Sequence, residues 1–327
     1  MKLRELKSNA RDLAGMRFGG LRYQAKMCRP TASGCDGFGR SHPGDSGQNG
    51  DMTLDLNGYF DRIDFRGVAE PTLDTLQGLM SAHTRTIPFE NLDPLMGTPV
   101  DDLGPDALTD KLVHRRRGGY CYEQNGLMGY VLSELGFRVR RLAGRVIWML
   151  PPDAPFPAQT HTVLAVTFPG SQGSYLVDVG FGGQTPPSPI RIETGSVQQT
   201  TIEPYRLEDR GDGLVLQALI RGEWVPLYEF TTRTAPAVDL EVGSWFVSTH
   251  PSSHFVTGLM AARVADDARL NLAGRNLTIH GADGSEKTRL ADAAAVVDTL
   301  AGRFGINVAD LGDRGALEAR LDKVLDA

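Results

Sequence analysis

Cys121, within the run Arg117-Gly118-Gly119-Tyr120-Cys121-Tyr122-Glu123-Gln124-Asn125, has the neighbours of a reactive thiol. A Gly-Gly turn delivers it to the start of an expected helix. There, free N–H groups and partial positive charge stabilise a thiolate. The same amides are available to an oxyanion. Taken alone, a single cysteine is more commonly a small buried core residue. Catalysis therefore needs a base, and the base needs an orienting group. His161 opens an alternating strand in Gln159-Thr160-His161-Thr162, and Asp178 lies on the next strand in Leu176-Val177-Asp178-Val179-Gly180. If the chain turns as a hairpin near Gly170, the two lie within a residue or two of facing each other, which makes a His–Asp hydrogen bond natural. An acid flanked by Leu176, Val177 and Val179 is costly to bury unpaired, and His161 is its nearest good partner. A satisfied strand histidine is the commoner role for His161 by itself. The three residues together favour nucleophilic catalysis.

The remaining motifs carry less. Gly180-Phe181-Gly182-Gly183 follows a strand as a dinucleotide loop would, but Gln184-Thr185-Pro186-Pro187-Ser188-Pro189 cannot open the helix that such a loop requires. A glycine-rich strand exit still lets a cofactor approach the backbone. His250 and His254 flank Pro251, which excludes a simple helical metal pair, and no further ligands cluster with them; they read as loop residues or pocket lining. Arg115-Arg116-Arg117 reads as a solvated turn, with the alternative that Arg117 pairs with a buried acid near the thiol.

The elements that must hold these residues are helical first. Leu56, Tyr59, Phe60 and Ile63 recur at helical spacing, as do Leu73, Leu76, Leu79 and Met80 after Pro71 and Thr72. Pro88 ends that region. A third helix is expected from Pro105 to Gly118-Gly119, burying Leu108, Leu112 and Val113. A fourth is expected over 121–135, presenting Leu127, Tyr130, Val131 and Leu135, with Gly136 at its C-terminal cap. Residues 137–149 then turn β-branched and aromatic. Residues 161–168 alternate, with Thr162, Leu164, Val166 and Phe168 on one side, and 175–179 form a short strand across the turn at 169–173. Further strands are expected near 214–220, 224–231 and 277–280, and helices over 291–304 and 315–325. Helices, then strands, then a mixed end describe an α+β protein.

Over the whole chain, 327 residues with 41% hydrophobic and 23% charged content describe a globular protein. No apolar run spans a bilayer. A net charge of -6 argues against nucleic acid or an anionic membrane as the main partner. Three cysteines, Cys28, Cys35 and Cys121, do not form a disulfide framework and suit a reducing, cytoplasmic setting. Residues 1–51 differ from the rest, with nine Lys/Arg against five Asp/Glu and few large apolar residues after Cys28. They are expected to be a disordered extension, and Met52, which opens the first regular pattern, is read as an alternative biological start.

Four blocks carry a resemblance: Ile87-Pro88-Phe89-Glu90-Asn91-Leu92, Arg117-Gly118-Gly119-Tyr120-Cys121, Thr160-His161 and Val177-Asp178-Val179-Gly180-Phe181-Gly182. In this order they resemble the arylamine N-acetyltransferases, and bacterial, actinobacterial-type members most. The resemblance runs from Met52 to the C-terminus. It implies a fold of three parts with a cysteine-protease-like Cys–His–Asp core: a helical part over 52–137, a β-barrel over 138–240, and a linker and α/β lid over 241–327. It implies acetyl transfer from acetyl-CoA to arylamines, arylhydrazines or N-arylhydroxylamines, with propionyl-CoA as a second donor, no metal, and a homodimer among the assemblies left open. Cys121, His161 and Asp178 match the family triad. Phe89, Phe181 and Phe255 match acceptor-pocket positions, while Val146, Trp148, Thr160, Gly180, Gly182 and Gly183 match or adjoin positions near the coenzyme arm. Residues 1–51 have no counterpart, and Gln124 stands where close relatives often have His.

The chemistry so implied is a ping-pong transfer through a Cys121 thioester, with His161 relaying protons and Asp178 holding the imidazole. Two rivals use the same cleft: a thiol hydrolase of protease or transglutaminase type, and a binding protein for CoA or aromatic ligands without turnover.

Overall fold

A computed structural model of the chain describes residues 54–151 and 153–325. The expectations for residues 1–51, Cys28 and Cys35 among them, lie outside the described residues.

The described chain opens with helices, the first two begun by a polar side-chain cap. In α1 (Leu56–Ile63) the Asp55 carboxylate accepts from the Gly58 amide. In α2 (Leu73–Thr86) the Thr72 hydroxyl accepts from Thr75 N–H. Pro88 forbids continuation of α2, and the chain extends into the two-residue β1 (Phe89–Glu90). The next element, α3 (Leu92–Met96), is a single turn ended by Gly97 at φ 82°. The helix expected from Pro105 is two pieces, α4 (Pro105–Thr109) and a π-helical turn (Asp110–His114). It stops short of Gly118, because Arg116 turns left-handed at φ 55° and frees Arg117 to point inward. α5 (Cys121–Glu134) follows. Its buried side is wider than the expected stripe: every residue from Cys121 to Gly129 is buried. A helix apolar or buried on all sides is a central element, and α5 is the axis around which the others pack.

The chain then builds an eight-stranded antiparallel sheet from β2 (Arg138–Val146), β3 (His161–Thr167), β4 (Tyr175–Val177), β5 (Ile190–Arg191), β6 (Val197–Gln198), β7 (Tyr205–Asp209), β8 (Leu214–Ile220) and β9 (Glu223–Thr234). The order is β5-β4-β3-β2-β9-β8-β7-β6. The Gln198 side chain bonds both backbone groups of Arg191, at 2.7 and 2.9 Å, and so draws the two edges together into a nearly closed barrel. In the β3–β4 hairpin Leu164 pairs with Val177 and Val166 with Tyr175. The alternation read over 161–168 is apolar on both sides. Leu164 and Val166 pack into the helical core with Leu76, Leu127 and Met128, while Val163 and Ala165 fill the barrel with Leu216, Leu227 and Phe230. Strand β3 is thus a wall shared by two cores. Emptying either side, as in Leu164→Ala, costs about 2–5 kcal/mol.

Two helices, α6 (Ala237–Thr249) and α7 (His254–Thr257), cross back to a second sheet made by β10 (Met260–Val264), β11 (Ala268–Ala273), β12 (Asn276–Gly281) and β13 (Gly284–Arg289). Its fifth strand is β1, with Phe89 opposite Ala262. The last helices, α8 (Ala293–Gly302) and α9 (Arg314–Leu325), cover this sheet through Val296, Val297, Leu300, Leu317 and Leu321. Among the described residues no helix is long and apolar enough to cross a membrane.

Candidate active site

Cys121 is the first residue of α5 and is 3% exposed. The turn before it is set by two close approaches. A Cβ on Gly118 would lie 2.2 Å from the Pro88 carbonyl oxygen, and one on Gly119 would lie 2.6 Å from the Glu123 carboxylate, so the backbone passes where only glycine fits. Tyr120 N–H donates to Glu123 at 3.1 Å, which ties the residue before the nucleophile to the first turn of its helix. The Cys121 thiol lies 3.8 Å from the Thr160 carbonyl oxygen.

Beyond Thr160 the strand begins with His161, on the same side as Val163 and Ala165. Extending the hairpin register by one rung puts Asp178 opposite Val163, diagonal to His161. The His161 Nε2–H donates to Asp178 Oδ2 at 2.8 Å, which leaves Nδ1 for the thiol. Asp178 is fully buried, and its other oxygen accepts from Asn125 Nδ2 and Gly180 N, both at 2.9 Å. Burial works against both charges. Nevertheless Asp178, with a further contribution from Cys121, pushes the His161 imidazole up to about 10. His161, Asn125 and Gly180 in turn hold the Asp178 carboxyl below its ordinary value despite burial. The pair is therefore an imidazolium–carboxylate at neutral pH, adjacent to a thiol at a helix N-terminus. Such an arrangement can hand a proton to a leaving group.

Asn125 joins these parts. One turn after Cys121, its amide donates to Thr162 O at 2.8 Å and to Asp178, and its oxygen accepts from Val179 N–H at 2.9 Å. All its polar capacity but one lone pair goes to the two strands that carry His161 and Asp178. Beneath the turn, Arg117 is 2% exposed. It bonds Glu90 at 2.9 Å and Asp93 at 2.7 Å, so the alternative reading of this residue is the one the structure shows. Lys111 joins Asp93 to the far oxygen of Glu123.

Comparisons with known proteins place the chain in a family. The N-acetyltransferase family model matches residues 72–312. A curated relative from Mycobacterium tuberculosis, an arylamine N-acetyltransferase, is 71% identical over 274 residues, covering 84% of this chain and 97% of its own. The chain belongs to the arylamine N-acetyltransferase family. A further relative from Mycolicibacterium smegmatis, of the same name, is 61% identical over 84% of this chain and all of its own. Among solved structures, the Mycobacterium marinum arylamine N-acetyltransferase in complex with CoA is 75% identical, with a TM-score of 0.82, covering 83% of this chain and 99% of that one.

The family resemblance marked nine further positions, and the structure distributes them unevenly. Gly180 touches Cys121, since a Cβ there would lie 2.7 Å from Cys121 Cα. Thr160 meets the thiol through its carbonyl. Gly182, at φ 88°, lies against the ring of Phe89, and Gly183 lies against Asn271 of β11. Phe89 and Phe255 stack edge-on at 6.0 Å, and Phe255 meets Tyr120 at 5.4 Å. Phe181 belongs to a different group, 5.4 Å from the His161 ring and 5.2 Å from Tyr228. Val146 ends β2 opposite Tyr228, and Trp148 packs on the barrel core. The three phenylalanines thus fall into two aromatic groups.

Sequence reasoning passed over Asn125, Tyr120 and Tyr228. Asn125 was legible in principle: it is four residues after Cys121, hence on the same helical face. Tyr228, whose ring lies 4.8 Å from His161, comes from a distant strand with nothing local to mark it. Among the described residues no group of His, Cys, Asp and Glu is arranged to hold a metal ion.

Proposed function

We propose that this chain transfers the acetyl group of acetyl-CoA to the nitrogen of arylamines, arylhydrazines or N-arylhydroxylamines, with Cys121 carrying the group between them. The observation that supports the reading most is the Cys121 thiol at the N-terminus of α5 beside the buried His161–Asp178 pair. In the first half-reaction the Cys121 thiolate attacks the thioester carbonyl. The C–S bond of acetyl-CoA breaks, CoA leaves as a thiol with a proton from His161, and the acetyl group remains on Cys121. In the second, the amine nitrogen attacks the Cys121 thioester, His161 takes the proton lost from nitrogen, and the thiolate is regenerated. Exchange between thioesters is nearly neutral in free energy, whereas amide formation is downhill, so the second half draws the cycle forward.

In this reading the aromatic walls select a flat acceptor and exclude water from the acyl intermediate. Phe89 and Phe255 form one wall and Phe181 the other. Thr160, Gly180, Gly182 and Gly183 border the path of the pantetheine arm, and Val146 and Trp148 its outer end. The part over 52–137 supplies the nucleophile, 138–240 the base and its acid, and 241–327 the lid. Propionyl-CoA is the alternative donor in this reading. Sparse thiol content suits a reducing cytoplasm, and the net charge of -6 disfavours nucleic acid.

Initial rates measured against acetyl-CoA at several fixed arylamine concentrations test this scheme. Parallel double-reciprocal lines are expected, as a substituted enzyme requires. Intersecting lines, which need both substrates bound together, would contradict it, and rapid CoA release without amine would point to a hydrolase.

A further inference from the structure

Behind the nucleophile turn lies a buried chain of polar side chains that the reaction scheme does not use. Tyr59 of α1, His83 of α2 and Gln124 of α5 are all fully buried. The Tyr59 hydroxyl is 2.9 Å from His83 Nδ1, and His83 Nε2 is 2.6 Å from Gln124 Oε1. The Gln124 amide nitrogen then donates to Pro88 O at 2.7 Å and Gly119 O at 3.2 Å. Donor accounting fixes the Gln124 end of this chain. Both Gln124 N–H groups are spent on carbonyls, and the reverse amide orientation would set its oxygen against two carbonyl oxygens. Oε1 therefore accepts and His83 Nε2 carries a proton; in a neutral ring Nδ1 is then bare and accepts from the Tyr59 hydroxyl. Burial, with the Arg62 charge adding to it, lowers the His83 pKa to about 4 despite the Gln124 bond, which keeps the ring neutral as this pattern demands.

The two carbonyls that Gln124 holds belong to one structural joint. Phe89 and Gly119 form an isolated parallel bridge, in which Glu90 N–H donates to Gly119 O at 3.1 Å and Gly119 N–H to Pro88 O at 3.3 Å. This bridge is where the strand bearing Phe89 meets the turn bearing Cys121. Gln124 donates a second hydrogen bond to each carbonyl of the joint. We infer that Tyr59, His83 and Gln124 are positioning residues for the acceptor half-reaction: they lock the Phe89–Gly119 bridge and so set the gap between the aromatic wall and the acyl-cysteine. The inference rests on the reading of Phe89 as acceptor wall. Cys121 is also held by α5 and by the Tyr120–Glu123 bond, and Phe89 by its pairing with Ala262; on this inference the larger displacement on loosening the bridge falls to Phe89.

The test compares Gln124→Met, Tyr59→Phe and Leu132→Ala, the last a cavity in the same helical core two turns further along α5. Gln124→Met is expected to raise the arylamine KM about tenfold, the equivalent of one or two buried hydrogen bonds, while Cys121 acetylation by acetyl-CoA changes less than about threefold. Tyr59→Phe, which removes one donor and keeps the ring, is expected to raise the same KM about threefold and stands in if Gln124→Met fails to fold. Leu132→Ala should lower the melting temperature and leave the arylamine KM alone. Nitrogen-15 spectra of the wild-type imidazoles should show His83 neutral and protonated on Nε2 at pH 7. An unchanged arylamine KM in the Gln124 and Tyr59 variants, a matching rise in Leu132→Ala, a parallel fall of both half-reactions, or a His83 proton on Nδ1 would each overturn the inference. Phe89→Ala in the same assay separates the two layers. If it leaves the arylamine KM unchanged, the acceptor-wall reading fails; if it raises KM where Gln124→Met does not, the positioning inference alone fails.

Discussion

At the scale of single residues, the site depends on charges kept in a place that disfavours them. Asp178 has no exposure at all, and its carboxylate survives because His161, Asn125 and the Gly180 amide occupy it from three sides. An imidazole whose ordinary pKa is 6.5 and whose folded value is about 10 binds more protons folded than unfolded between those values. Its contribution to stability is complete below pH 6.5 and is lost as pH rises through about 10. Asp178→Asn removes the charge that holds the proton while keeping the shape. Turnover should fall by roughly 10²–10⁴-fold. The wild type's loss of thermal stability between pH 6.5 and 10 should be shallower in the variant, as read by circular dichroism melts across that range. A variant with full turnover, or with the same alkaline slope, would show that the pair is not an imidazolium–carboxylate.

At the scale of elements, function depends on where three backbones touch. The Gly118-Gly119 turn, the N-terminus of α5 and the Gly180 segment approach so closely that side chains are excluded from the contact. Gly180→Ala would set a methyl group against Cys121 Cα, and the backbone, which cannot rotate away, must shift. A loss of about 10²-fold in turnover is expected from displacement of the nucleophile, with a destabilisation of about 1–3 kcal/mol; steady-state kinetics and a denaturant titration read the two separately. The elements that carry the site were legible because their signals are local. A Gly-Gly turn before Cys121 marks a helix start, and Gly170 between two apolar runs marks a hairpin. Other elements were not. In α3, Pro94 sits inside the helix, at its third residue, and Leu92–Met96 is too short to show a period. Helix α6, Ala237–Thr249, is apolar on nearly every side and rich in valine, so no 3.6-residue rhythm separates it from a strand. Strand β13 is exposed at every position and shows no alternation.

At the scale of the whole molecule, the nucleophile turn is also a junction. Arg117 bonds Glu90 of β1, Asp93 of α3 and, at 3.3 Å, Asp310 near the C-terminus. Residues 89 and 90 meanwhile lend their strand to the second sheet. Three stretches of the sequence, Pro88-Phe89-Glu90-Asn91, Arg117-Gly118-Gly119 and Gly180-Phe181-Gly182, are thus parts of one joint. Their family resemblance was legible, but their mutual contact was not, because pairing across 27 residues, as between Arg117 and Glu90, leaves no trace in local pattern. The same holds for the division of the aromatic residues between two walls and for the Tyr59–His83–Gln124 chain. The central claim, that Cys121 carries the acetyl group, is tested most directly by intact and peptide mass spectrometry of the protein mixed with acetyl-CoA and no amine. One added acetyl group is expected, on the peptide containing Cys121, and it should disappear when an arylamine is supplied. No adduct under conditions that support turnover, or an adduct on another residue, would contradict the account.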